Sequence, residues 1–248
     1  MKTSNKLLTG AFLFVISGIL IFIVALRLNI HPESHVEIKG NGQVIKEERE
    51  LKDFTQIEVR RGIKVFITQA DNFRVEVETD ENLISEIMTH VEGDELLIYP
   101  TKDIEEGKVR IYVQMPVITN LGVESAAQIR SNEALHVGHL SLNASSAGAL
   151  ILQIDAETVN ADVGSAGSCN IKGTADRLTV RVSSAGSFKA SDLEANIGDV
   201  RVSSAGKAIV NILDEAQYSA SSGGAIRYSG PAELNRIRSS SGGRISKY

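Results

Sequence analysis

The chain has 248 residues, 42% of them apolar and 23% charged, with a formal net charge of −5. That length accommodates one large domain or two small ones, and the mild acidity leaves no basic footprint for nucleic acid. Tryptophan is absent, so the core must be largely aliphatic, and a lone cysteine, Cys169, excludes an intramolecular disulfide and a cysteine-based metal site.

Residues 1–6 form a short stub with two lysines, and Leu7 to Leu26 then runs without a charge. A helix of that length spans about 30 Å, the thickness of a bilayer core. The expectation is therefore a transmembrane anchor over 7–28, with the N-terminus cytoplasmic on the side of Lys2 and Lys6 and the rest exported. A cleaved secretory signal is the alternative, with Ile23-Val24-Ala25 as its small-residue site. Residues 29–40, which include His31, Pro32 and His35, read as a stalk. An exported chain without disulfides must be held together by core packing and backbone pairing.

From 41 to 117 the period-two alternation of apolar residues marks a β-rich N-terminal subdomain. Its strands include Phe54-Thr-Gln-Ile-Glu-Val59, Ile63-Lys-Val-Phe-Ile67, Phe73-Arg-Val-Glu-Val77, Leu96-Leu-Ile-Tyr99 and Val109-Arg-Ile-Tyr-Val113. Asn41-Gly42, Gly62 and Gly93-Asp94 supply turns. Asp80 to Ile87 is expected to form one helical turn capped by Asp80.

From 118 to 248 a repeat takes over. Its four-residue units are Glu124-Ser-Ala-Ala127, Ser145-Ser-Ala-Gly148, Gly164-Ser-Ala-Gly167, Ser183-Ser-Ala-Gly186, Ser203-Ser-Ala-Gly206, Ser221-Ser-Gly-Gly224 and Ser240-Ser-Gly-Gly243. Their last residues are spaced by 21, 19, 19, 20, 18 and 19. Aligned on these units, the residues one and three before them are mostly apolar, as is the second residue after them. Between them lies a polar column. That order describes a strand, a tight corner of small residues, another strand and a variable return. Stacked in register, like residues meet about 4.8 Å apart and build a continuous core. The expected fold is all-β: a right-handed parallel β-helix, or solenoid, of about seven short coils behind the β-rich subdomain.

The second residue of every unit is serine: Ser125, Ser146, Ser165, Ser184, Ser204, Ser222 and Ser241. A nucleophile is needed once, so these are read as a structural ladder whose hydroxyls bond along the stack or to turn amides. Gly148, Gly167, Gly186, Gly206, Gly224 and Gly243 are expected to supply φ > 0 at the corner. Cys169 falls in an inward column beside Leu150 and Phe188. His90, His136 and His139 read as exposed loop residues. The carboxylates read as a solvated surface, and neither a metal nor any other cofactor is expected. Arg181 and Arg201 occupy one outward column in adjacent coils, and Arg238 shares it further on. These arginines are the candidate face for an anion or an acidic glycan.

Over residues 40–248 the chain resembles the bacterial auto-transporter adhesin family with a head GIN domain. The resemblance rests on Gly40-Asn-Gly-Gln-Val-Ile-Lys-Glu-Glu-Arg-Glu50, Phe54 to Val59, Gly62-Ile63-Lys64-Val65, Asp80-Glu-Asn-Leu83 and the recurring Ser-Ala-Gly corners. It implies a right-handed β-helical fold on an exported envelope protein of Bacteroidetes type. Two positions depart from the family pattern. Lys64 stands where the signature has Asn. Ala149, Ser168, Ser187, Lys207, Ala225 and Arg244 stand where an Asp often follows the corner glycine, so a cation role for that Asp does not carry over.

Three functions follow as expectations. The first is a non-catalytic, adhesin-like binding and scaffold protein of the cell envelope. Its partners would be the membrane, a glycan, and a second copy or another envelope protein over the uncapped last coil. The second is an envelope-stress or signalling sensor working through a membrane partner. The third is a polysaccharide-acting enzyme, which would need a local cluster of acids or bases on one face.

Overall fold

Alternation of inward aliphatic and outward polar residues sets the strands of the computed structural model, which describes residues 37–248. The anchor expected over 7–28 lies outside the described residues. Among those described, no helix is long and apolar enough to cross a membrane.

The N-terminal strands are β1 (Glu37–Lys39), β2 (Val44–Arg49), β3 (Gln56–Val59), β4 (Lys64–Gln69) and β5 (Arg74–Asp80). A 3₁₀ turn at Glu81–Glu86 leads to β6 (Ile87–Glu92), β7 (Glu95–Pro100), β8 (Asp103–Glu106) and β9 (Val109–Met115). The repeat then supplies β10 (Asn120–Val123), β11 (Gln128–Ala144), β12 (Ala149–Val163), β13 (Ser168–Val182) and β14 (Ser187–Val202). It closes with β15 (Lys207–Ala220), β16 (Ala225–Ser229), β17 (Glu233–Ser239) and β18 (Arg244–Lys247).

From β10 to β18 every pairing is parallel, coil upon coil. The register matches the columns expected from the repeat. Leu150 pairs with Cys169, Cys169 with Phe188, Phe188 with Ala208 and Ala208 with Ile226. The inward column before the corner runs Val123, Ala144, Val163, Val182, Val202 and Ala220, all buried. Each fully buried Val, Leu or Ile contributes roughly 1.5–3 kcal/mol.

The parallel ladder also crosses residue 118. β3 pairs with β10, and β4 with β11, so Val59 and Val65 continue the two inward columns. Beneath them β7 pairs with β3 and β9 with β4, again in parallel. The chain thus lays down one coil at β3–β4 and a lower one at β7 and β9, then returns above both at β10. β2, β5 and β6 join by antiparallel pairing at that end. The helical turn expected at 80–87 is the 3₁₀ segment, but Asp80 does not cap it. Asp80 is buried, and its carboxylate instead accepts the Lys108 N–H at 3.4 Å.

The corners carry two corrections. Positive φ falls on the second and third residues of each unit, not on the terminal glycine: Ser165 has φ +47° and Ala166 +60°, and the other coils repeat this. The Gly167 N–H donates to the Gly164 carbonyl at 2.7 Å, which closes a type I′ turn. The terminal glycine is needed for space. A Cβ at Gly167 would lie 2.3 Å from the Ala144 carbonyl oxygen of the coil below, and one at Gly148 2.6 Å from that of Val123.

The second correction concerns the serines. Their hydroxyls are exposed, and the ladder runs through the peptide groups. The left-handed backbone points each second-serine carbonyl at the coil below. There Ala147 N–H donates to Ser165 O at 3.1 Å, Ala166 N–H to Ser184 O at 3.0 Å and Ala185 N–H to Ser204 O at 3.0 Å. Ser146, Ser222 and Ser241 accept in the same way from Ala126, Ala205 and Gly223.

Candidate functional site

The strands leading into the corners put every second side chain on one outer face. On it the register sets Arg181 directly beside Arg201, and Arg238 follows beyond Ser219. Neighbouring side chains here stand about 4.8 Å apart along the solenoid. Arg181 Nη1 lies 3.9 Å from Asp162 Oδ2, and Arg201 Nη2 donates to Asp199 Oδ2 at 2.7 Å. Both arginines are more than half exposed, at 56% and 55%. Exposed pairs of this kind contribute only about 0–1 kcal/mol, so an external anion can displace the two aspartates cheaply.

Toward the N-terminal coils the same face turns acidic. Glu58, Arg60, Glu95, Glu124, Asp162 and Arg181 line a groove of about 540 Å³. Gly122 sits between Glu58 and Asn143 in register, and its missing side chain is what admits the Glu58 carboxylate. A Cβ there would lie 1.7 Å from Glu58 Oε2. Partial burial raises the Glu58 carboxyl above the usual carboxylate range, and the charge of Glu124 adds to this. Arg60 opposes it, with Nε at 3.5 Å from Glu58 Oε1 and 3.6 Å from Glu124 Oε2. Sequence reasoning missed this groove because its members lie in separate segments that only the parallel ladder brings together. One signal was present: Val59 precedes its corner as the repeat valines precede theirs.

A second acidic region lies where the long strands bend. Asp155, Glu157, Asp176 and Glu194 line a cavity of about 360 Å³, so the carboxylates are less scattered than the sequence implies. The Asp155 carboxyl is held below its usual range by the Thr174 hydroxyl, which donates at 2.6 Å, and by His136 at 3.2 Å. His136 and His139 are in β11 and His90 in β6, on strands and not loops. Among the described residues no group of three or more His, Cys, Asp or Glu is placed to hold a metal.

Cys169 is 1% exposed in its inward column, and burial pushes its thiol up to about 12. The native thiol is therefore expected to resist alkylation at pH 8 and to react only on unfolding, as a time course with iodoacetamide would read. The raised value also disfavours the folded state in base. Stability is unaffected below the ordinary thiol value of 9.0 and falls as pH rises from there toward about 12. Cys169→Ala should remove that part of the loss.

β17 and the residues after it expose apolar side chains. Leu234 is 38% exposed, Ile237 50% and Tyr248 51%, although the first two pair with Ala216 and Tyr218, which are buried one coil earlier. Arg236 and Arg238 flank Ile237 on β17.

The model of the family described as "Putative auto-transporter adhesin, head GIN domain" matches residues 53–232. Comparison with curated proteins gives no match. Among solved structures, a putative adhesin from Bacteroides fragilis is similar at a TM-score of 0.76 and 18% identity, over 85% of this chain and 99% of that one. A putative adhesin from Parabacteroides distasonis has a TM-score of 0.70 and 21% identity, covering 86% of this chain and 100% of its own. A putative lipid binding protein from the same species has a TM-score of 0.65 and 21% identity, covering 86% and 99%. At these identities the likeness concerns the fold.

Proposed function

Because the chain belongs to the auto-transporter adhesin family with a head GIN domain, we propose that it is a non-catalytic, adhesin-like binding and scaffold protein of the cell envelope. Its arginine column takes the acidic groups of a glycan. The observation that carries this is the register that stacks Arg181 on Arg201, with Arg238 two coils on, along an exposed face. A polymer lying along the solenoid would meet cations at the strand spacing of about 4.8 Å, close to the length of one pyranose unit. The guanidinium forks suit carboxylate groups, and the weak internal ion pairs leave them free to exchange.

The test is a titration of the full chain with polygalacturonate across a salt series. Binding should weaken as salt rises, and Arg181→Ala with Arg201→Ala should weaken it at least tenfold and flatten the salt dependence. Binding that is indifferent to both changes would count against the arginine column.

One observation favours the enzyme alternative. Glu58, with its raised carboxyl, stands near Glu124 in the groove that Arg181 borders, and such a pairing is the usual beginning of acid–base work. Mass spectrometry of the same mixtures separates the two ideas: shortened chains that vanish in Glu58→Gln would make this an enzyme.

The scaffold role falls to β17, where Leu234 and Ile237 are exposed. Symmetric pairing of two copies through β17 about Ile237 would set Arg236 and Arg238 against those of the other copy. A partner edge bearing carboxylates fits better.

A further inference from the structure

The first corner of the solenoid is not a serine corner. Arg60-Arg61-Gly62-Ile63 takes its place, with φ of +56° at Arg61 and +73° at Gly62, and the Gly62 N–H donates to Ser125 O at 2.9 Å. Beside it is a cavity of about 280 Å³ lined by Arg61, Lys64, Lys108 and Arg110, with Ile104 and Gly107 completing the wall. Among the described residues no carboxylate lines it. We propose that this cavity is a binding site for a phosphate group.

The four basic residues are exposed, and an anion held between them would relieve their mutual repulsion. Lys64 and Arg110 are direct register partners on β4 and β9, so their side chains leave the sheet about 4.8 Å apart. Like charges that close repel unless an anion joins them. Among the described residues only Arg110 has one: its Nη1 is 3.4 Å from Glu78 Oε1, and Lys46 Nζ already holds Glu78 Oε2 at 3.3 Å. Arg61, Lys64 and Lys108 form no ion pair among the described residues. Of the other carboxylates of this region, Glu106 beside Gly107 does not line the cavity, and two more are engaged elsewhere. Asp80, buried behind Gly107, accepts the Lys108 N–H, and Glu105 is 3.2 Å from Lys39 Nζ.

Four cations and no lining anion favour a dianion over a monoanion. Two guanidinium forks can bind phosphate oxygens in bidentate fashion while two ammonium groups add point charge. The volume suits a phosphate with a small substituent, borne by a lipid headgroup or free in solution. The site is on a different part of the molecule from the arginine column, and its test does not depend on glycan binding.

Calorimetric titration of the full chain in detergent with inorganic phosphate should show binding, at least tenfold tighter than acetate. Arg61→Gly together with Lys64→Ala should weaken it at least tenfold. Glycine relieves the backbone at φ +56°, so melting without phosphate should not fall. Lys64→Arg should retain binding. Glycerol 3-phosphate binding more tightly than inorganic phosphate would assign a lipid headgroup, and equal or weaker binding would assign free phosphate. No phosphate binding, an equal response to acetate, or full binding in the double variant would overturn the site.

Discussion

Gly167→Ala is expected to destabilise the protein by at least about 3 kcal/mol, while Ala166→Gly, one residue earlier, stabilises it by about 0.5–1 kcal/mol. The opposite signs follow from the two demands of the corner. At Gly167 the added Cβ would meet the Ala144 carbonyl oxygen at 2.3 Å. That oxygen cannot yield, because it accepts the Gly164 N–H at 2.9 Å and belongs to a coil pinned above and below. At Ala166 the backbone has φ +60°, where an L side chain is strained and glycine is not. Gly242 is the control: it occupies the third position of its unit with φ +76°, and its Cβ would meet nothing closer than 3.9 Å. Gly242→Ala should therefore cost no more than about 1 kcal/mol. Thermal melting of the three variants reads all of this, and a tolerated Gly167→Ala would contradict the close backbone contact at this corner; the first unit, by contrast, is built around Ala127.

The second large effect is expected in the inward column. Val182 and Val202 are each 2% exposed and are register partners in adjacent coils. Changing both to Asp would bury two like charges about 4.8 Å apart with no cation among their buried neighbours. Each unpaired buried charge costs several kcal/mol, enough to abolish cooperative unfolding of the marginally stable chain. Arg181→Asp with Arg201→Asp, one residue earlier in each strand, places the same charges on the outer face and should change melting by only a few degrees. Equal damage from both pairs would contradict the alternation of inward and outward columns.

Much of this fold was legible because the repeat announces itself. Seven units at near-constant spacing align the columns without any structure, and Cys169 between Leu150 and Phe188 is found where the alignment puts it. The corner was misread in detail. Glycine at a turn suggests φ > 0, yet small residues also serve where two backbones meet, and a sequence does not distinguish these demands. The first coils were harder because the chain lays them out of order, with β7 and β9 placed below β3 and β4 and the antiparallel β5 and β6 between, so Arg60-Arg61-Gly62-Ile63 does not look like a corner of the series. For the same reason neither the groove at Glu58 nor the basic cavity at Lys64 could be assembled from spacing. The arginine column was visible, and the same alignment sets Asp162 beside Arg181 while strand alternation puts Asp199 on the face of Arg201; the ion pairs follow from positions the sequence already shows.

The measurement that tests the proposed function most directly is a glycan array probed with the full chain and with the variant in which Arg181 and Arg201 are both alanine. Selective retention on acidic glycans, lost in the variant while its melting is unchanged, is the expected result. Retention on neutral glycans alone, or equal retention of both proteins, would contradict recognition by the arginine column.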